Sequence, residues 1–199
     1  MGKLEDVALL AEVSKAFNAC AKKPSLIRRF KLSTHARFGR MANKKKASSG
    51  LLEYLRLISA HYPGTTSIDL GDTDKPVDFV KNKHVQMLAN FRSLTTLGLK
   101  FCHEVTDVRP LSSLTLLQDL NLCSTKITAE GLLAISTTLT QLIKLDLYCC
   151  RSITGAGFAC LSSLTSLQDL NVGATKINDE GLLAISSSLT RLTELNLEF

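Results

Sequence analysis

The sequence predicts an α/β solenoid: short parallel strands stacked into a curved sheet, short helices along the convex side, and a helical cap at the N-terminal end. Three observations predict it. The segment Leu117–Leu147, LQDLNLCSTKITAEGLLAISTTLTQLIKLDL, matches Leu167–Leu197, LQDLNVGATKINDEGLLAISSSLTRLTELNL, at 20 of 31 positions without a gap. Self-similarity at a fixed period marks stacked repeats. The pattern L-x-x-L-x-L recurs with its middle leucine at Leu97, Leu120, Leu145, Leu170 and Leu195, at spacings of 23, 25, 25 and 25 residues. The chain is 45% hydrophobic but only 6% aromatic, with no Trp, so its core must be aliphatic.

Each element of a unit follows from its residues. L-x-x-L-x-L is too short for a helix, and its ending has the period of a strand. Thr-Lys-Ile-Thr or Arg-Ser-Ile-Thr then turns the chain, with Ile127, Ile153 or Ile177 plugging the turn. Gly131, Gly157 and Gly181 precede apolar runs such as Leu132–Ile135, which read as short convex helices. The unit after Leu97 lacks that Gly and is two residues shorter than its successors. Pro110 disfavours a helical residue before it, so an extended or 3₁₀ segment is expected there. A weaker first strand reads at Ser67–Leu70, with Ile68 lying 29 residues before Leu97.

One unit cannot bury its own apolar face, whereas stacked units share a core. Ile68, Leu97, Leu120, Leu145, Leu170 and Leu195 should therefore lie on successive parallel strands. Leu120 and its equivalents should be fully buried, each costing roughly 2–5 kcal/mol on truncation to Ala. The sequence closes on a strand, Leu195-Asn196-Leu197-Glu198-Phe199. An open strand edge invites association, so a second copy, another chain or further sequence is expected over residues 189–199.

The pattern resembles the leucine-rich-repeat superfamily, in particular its cysteine-containing subtype, L-x-x-L-x-L-x-x-C-x-x-I-T-D-x-G-L-x-x-L. Cys102 and Cys150 occupy the cysteine position, and Thr125 and Thr175 replace it. The likeness runs from Leu94 onward and implies a macromolecule-binding solenoid. Cys149-Cys150 is not read as a metal pair: neighbouring residues on an extended chain point to opposite faces, making Cys150 a core thiol and Cys149 its outward neighbour.

Residues 1–50 form a separate basic segment in front of the repeat domain, 51–199. In Leu4–Ala21, the residues Leu4, Val7, Leu10, Val13 and Phe17 fall at helical spacing, and Lys22-Lys23-Pro24 ends the run. Ser25–Leu32 begins another apolar element. This stretch resembles the second half of an F-box through Asp6-Val7, Val13 with Phe17, Pro24, Leu26-Ile27-Arg28 and Phe30 or Leu32. Ile27 stands where that family has Trp, and the family's opening Leu-Pro helix has no counterpart. The resemblance implies an adaptor surface at Val7, Val13, Phe17, Leu26 and Ile27 for an Skp-like partner. The same residues also suit a plain cap over the first strand of the solenoid.

The net charge of +6 is uneven. Residues 1–50 hold 12 Lys/Arg against 3 Asp/Glu, and residues 51–199 hold 12 against 15. Ser33–Ser49 reads as an exposed connector, and Arg37, Arg40, Lys44, Lys45 and Lys46 form a basic patch in it. Such a run suits solvent, phosphates of a nucleic acid, or an acidic protein surface. No apolar stretch reaches the 18 residues that read as a membrane span. The six cysteines show no C-x-x-C pair and no secretory context, which points to reduced thiols in an intracellular protein, cytoplasmic or nuclear.

Four scattered histidines, without a Ser/His/Asp or H-E-x-x-H grouping, offer no catalytic constellation. No cofactor or metal is expected. Binding falls to the concave sheet, where outward positions stack into three columns: Thr96, Asp119, Lys144, Asp169 and Glu194; Gly98, Asn121, Asp146, Asn171 and Asn196; Lys100, Cys123, Tyr148, Gly173 and Glu198. Acidic residues outnumber lysines there, so a basic or polar protein surface is the expected ligand, with Tyr148 as anchor. Changing Asp146 and Tyr148 together to Ala should weaken binding without unfolding. By resemblance the chain reads as a non-catalytic substrate receptor of an SCF-type ubiquitin ligase. The alternative is a structural subunit of a large assembly, such as a ribonucleoprotein, with the basic segment on phosphate or acidic protein.

Overall fold

The computed structural model describes residues 29–30, 44–71 and 75–198. Seven parallel strands form one open sheet in chain order: β1 (Arg29–Phe30), β2 (Ser67–Asp69), β3 (Thr96–Gly98), β4 (Asp119–Asn121), β5 (Lys144–Asp146), β6 (Asp169–Asn171) and β7 (Glu194–Asn196). Ile68, Leu97, Leu120, Leu145, Leu170 and Leu195 pair in one unbroken register, as the repeat spacing predicts. The other side carries α1 (Lys44–His61), α2 (Asn82–Leu88), α3 (Ala129–Ser136) and α4 (Asp179–Ser188), with 3₁₀ segments at Arg109–Ser113 and Gly155–Ser163.

Segment length explains which units form α-helix. From the plug residue of each turn (Val105, Ile127, Ile153, Ile177) to the middle leucine of the next strand there are 15, 18, 17 and 18 residues. The two 18-residue segments hold α3 and α4. Their first turns are capped by Thr128 and Asn178, whose side-chain oxygens accept the Gly131 and Gly181 N–H groups. The shorter segments hold the 3₁₀ helices, which rise about 2.0 Å per residue against 1.5 Å in an α-helix and span the same distance with fewer residues. The Gly157 unit thus departs from the α-helix its apolar run suggests. Gly157 itself is needed for close approach: a Cβ there would lie 2.7 Å from the Ala129 Cβ of the preceding unit.

Successive strands are joined past their ends by residues in a left-handed conformation. Phe101, Ser124, Cys149 and Ala174 have φ of 60°, 57°, 61° and 50°. Their N–H groups donate to the carbonyls of Cys123, Tyr148, Gly173 and Glu198 in the following unit, at 2.9, 2.7, 2.9 and 2.6 Å. Non-Gly residues pay on the order of 1 kcal/mol for this backbone; the inter-unit hydrogen bond offsets it. The next residue fills the cysteine position of the pattern, and there thiol and hydroxyl do the same work. Cys150 Sγ and Thr125 Oγ1 both donate to the Leu122 carbonyl, at 3.1 and 2.7 Å, and Thr175 Oγ1 donates to Val172 at 2.6 Å. Burial pushes the Cys150 thiol up to about 12 and raises Cys102 in the same direction. Such thiols are structural rather than reactive.

The core is mainly aliphatic, with Phe91 and Phe158 fully buried in it, and continuous from α1 to the last unit. Leu97, Leu120 and Leu170 are completely buried and Leu145 nearly so, but Leu195 is 42% exposed, contrary to the expectation for all members of the ladder. β7 pairs with β6 on one side only. Ile177 and Leu182 of the same unit are also only half-buried.

The exposed connector expected through Ser49 is corrected by α1, which begins at Lys44 and runs through residue 50, where the sequence suggests a change of segment. Ala47, Ser48, Leu51, Tyr54, Leu55 and Ile58, at helical spacing, are buried against the repeats. Lys44 and Lys45 occupy the exposed first turn, and Lys46 falls within the same helix. The adaptor residues Val7, Val13, Phe17, Leu26 and Ile27, and the basic residues Arg37 and Arg40, lie outside the described residues.

Candidate functional site

The strands hold the first two predicted columns in register, and the third lies just past the strand ends, where Cys123 is buried rather than outward. Thr96, Asp119, Lys144, Asp169 and Glu194 stack in direct register. Within this column Lys144 Nζ reaches Asp169 Oδ2 at 3.1 Å. The middle column gains a member at its N-terminal end: Asp69, followed by Gly98, Asn121, Asp146, Asn171 and Asn196. The missing side chain at Gly98 leaves room for the Asp69 carboxylate.

The middle column has a folding role that the alternation of residues alone does not reveal. Asp69, Asn121, Asp146, Asn171 and Asn196 each accept, through Oδ1, the N–H of the residue two positions on, at 3.1, 3.0, 2.9, 3.1 and 2.8 Å. This is the Asx turn, in which a short side chain replaces a backbone acceptor. Asn121 also donates its amide to Asp146 Oδ2 at 2.9 Å, linking neighbouring units. Asp146 is therefore both a candidate contact and a closing group of its turn. Asp146→Ala should cost about 1–3 kcal/mol by leaving the Tyr148 N–H unpaired, while Asp146→Asn keeps the acceptor and should be close to neutral. Urea unfolding measures both. Equal midpoints for the Ala and Asn variants would refute the turn-closing role.

Electrostatics gather at the centre of the face. Burial raises the Asp119 carboxyl above its ordinary range; Lys144 opposes this, and Asp169, Asp146 and Asp69 add to it. Burial likewise raises Asp146, against the pull of the Tyr148 N–H and Lys100. The Asp169 carboxylate in turn holds Lys144 protonated above its ordinary value. The face is a mildly acidic strip whose carboxylates are partly desolvated. At its edge Tyr148 is 38% exposed. A Cβ at Gly173 would lie 3.1 Å from the tyrosine Cδ2, so the ring rests against a position where a larger side chain would interfere. Glu194 is exposed and Asn171 and Asn196 are half-buried at the C-terminal end of the same strip.

Lys44 pairs with Asp78, and Lys44 and Lys45 line a cleft with Lys81, Lys83 and Lys126. The last three, 35 or more residues from the lysine run, carry no sequence signal tying them to it. Among the described residues, five cysteines are free thiols and no group of His, Cys, Asp and Glu is arranged to hold a metal ion. No described helix is long and apolar enough to cross a membrane.

Comparison with known proteins bears on the fold. A leucine-rich-repeat family profile matches residues 113–136 and 163–186. A search of curated proteins found no match to the sequence. Among solved structures, a leucine-rich-repeat protein of Leptospira interrogans aligns over 91% of this chain and 45% of its own, at 15% identity and a TM-score of 0.55. The second actin-binding site of leiomodin-1 aligns over 69% of this chain and 86% of its own, at 18% identity and a TM-score of 0.50. An internalin of Listeria monocytogenes aligns over 70% of this chain and 50% of its own, at 16% identity and a TM-score of 0.44. The chain spans about half the length of the internalin and of the Leptospira protein. With the register of the strands, the repeated turns and the matched segments all in agreement, the chain carries leucine-rich repeats and folds as a leucine-rich-repeat solenoid.

Proposed function

We propose that this protein is a non-catalytic recognition module that holds another protein on the concave face of its solenoid. The observation supporting this is the strip of half-buried carboxylates, Asp119, Asp146 and Asp169, beside the exposed ring of Tyr148. Partly desolvated acids next to an aromatic anchor suit a basic peptide surface, since charge complementarity selects the partner and a buried ring contributes affinity. The middle column contributes mainly by presenting a rigid surface, and Tyr148, Lys144, Asp169 and Glu194 supply the contacts. The leiomodin-1 structure, an actin-binding site, is a precedent for protein binding on this fold.

By the F-box resemblance of the N-terminal segment, the finer reading is a substrate receptor that meets an Skp-like adaptor through Val7, Val13, Phe17, Leu26 and Ile27. Two measurements test the levels separately. Tyr148→Ala should weaken a concave-face partner at least about 10-fold, the effect of losing an anchor worth 1.4 kcal/mol or more, with unchanged thermal unfolding. Unaltered affinity would remove the concave face as the site. Co-expression with an Skp-like adaptor should yield a complex that Phe17→Asp abolishes. Absence of a complex would leave a recognition module without a ligase role.

A further inference from the structure

Beyond the concave face, the structure holds a second concavity of a different chemical character. We infer that the cleft between the start of α1, the start of α2 and the turns of the next two units binds a compact ligand carrying two or three linked phosphate groups.

The cleft is open to solvent and has a volume of about 730 Å³, within the range of roughly 300–1,000 Å³ typical of small-ligand sites. Lys44, Lys45, Lys81, Lys83 and Lys126 line it, against the carboxylates of Asp78 and Glu104. These lysines come from separate stretches of chain that the solenoid stacks together. A parallel bridge joins Lys81 to Glu104, and the Lys126 N–H donates to the Val105 carbonyl at 3.0 Å. Their backbone positions are therefore set before any ligand arrives.

The distribution of charge points to an anion. Asp78 is engaged by Lys44, and Lys81, Lys83 and Lys126 make no ion pair among the described residues. The first turn of α1 contains lysines and no acidic residue. A helix N-terminus already carries partial positive charge, so cations there cost stability. Lys81, Lys83 and Lys126 add positive charge to the cleft without an ion pair among the described residues, and a bound polyanion is stabilised by it. Ammonium groups on flexible stems suit phosphate oxygens, and the paired, planar geometry that favours arginine is not required.

Size and surroundings favour a compact ligand over a long polyanion. No Phe, Tyr or Trp is among the residues lining the cleft, so it offers no platform for stacking bases. The repeat domain as a whole is net acidic, with 15 Asp/Glu against 12 Lys/Arg over residues 51–199, and repels a backbone extending past the lysines.

Calorimetric titration of the full chain with inorganic tripolyphosphate, inorganic sulfate and an eight-nucleotide single-stranded DNA tests this. Tripolyphosphate should bind at least about 10-fold more tightly than sulfate, consistent with several charge-assisted contacts, and should weaken steeply with salt. The variant carrying Lys81→Gln, Lys83→Gln and Lys126→Gln should lose at least about 10-fold in affinity while keeping its melting temperature. If that variant melts early, Lys126→Gln alone should still lose about 3-fold, as expected for one exposed charge. Equal binding of sulfate and tripolyphosphate, or unchanged affinity in the variants, overturns the assignment. Tighter binding of the oligonucleotide overturns it in favour of a nucleic-acid site. None of these results depends on what occupies the concave face.

Discussion

Leu120→Ala is expected to destabilise the protein by about 2–5 kcal/mol, the cost of removing a buried leucine and leaving a cavity. Leu120 is fully buried and lies in register between Leu97 and Leu145. In a solenoid each unit is stabilised chiefly by its two neighbours, so the cavity loosens both interfaces of its unit. Against a typical domain stability of roughly 5–15 kcal/mol, this is a major loss. Leu195→Ala makes the same chemical change at the equivalent position of β7, where the side chain is already 42% exposed. There the transfer loss is smaller and water fills the gap, so the expected cost is under about half that at Leu120. Urea unfolding of both variants gives the comparison. Equal costs at the two positions would contradict the graded burial along the ladder.

Acidification should destabilise the junction of α1 with the first full unit through His84. This imidazole is completely buried. Its Nδ1 accepts the Lys81 N–H at 2.9 Å, and its Nε2 faces the Ser48 carbonyl at 2.7 Å. An amide N–H can only donate and a carbonyl can only accept, so the ring carries its proton on Nε2 and its Nδ1 lone pair is in use. A second proton would set the Nδ1–H against the Lys81 N–H, with the Lys81 carbonyl at 3.2 Å a poorer partner, and bury a charge. Burial accordingly depresses His84 below its ordinary value of 6.5, with the nearby Lys83 and Lys81 charges acting in the same direction and the Ser48 carbonyl opposing. The unfolded chain therefore takes up this proton first as pH falls. Stability from this group is constant well above pH 6.5 and declines as pH drops from 6.5 towards the folded value.

His84→Gln should remove that component, because Gln at the third helical position can also accept the Lys81 N–H. His84→Ala should cost about 1–3 kcal/mol at neutral pH by orphaning a buried donor and a buried acceptor. Melting temperatures from pH 7.5 to 5 for the three proteins decide the matter. Parallel curves for the parent and the Gln variant would clear His84 of the acid sensitivity.

The repeat was legible in the sequence because every unit must solve the same packing problem. A leucine at each buried strand position and a small residue at each turn recur at about 25 residues, and register follows from that period with no further information. The 3₁₀ segment after Val108 was legible too, from Pro110 and a short unit. The helical state of the Gly157 unit was not: its apolar run resembles the others, and the outcome hinges on a segment shorter by one residue fitted to a rise set by the neighbouring units.

The amino-acid sequence by itself determined which leucines face the core, which residues form the concave columns and where charge concentrates along the chain, because all of these follow from periodicity and side-chain chemistry. Only the tertiary structure decided what those groups do. It assigned Asn121, Asp146, Asn171 and Asn196 to closing turns, since an Asx turn depends on backbone direction as well as on residue type. It placed Lys44 and Lys45 on a helix against Lys81, Lys83 and Lys126, and left Leu195 half wet, because proximity across units and burial at an edge are properties of the stack that no single unit contains.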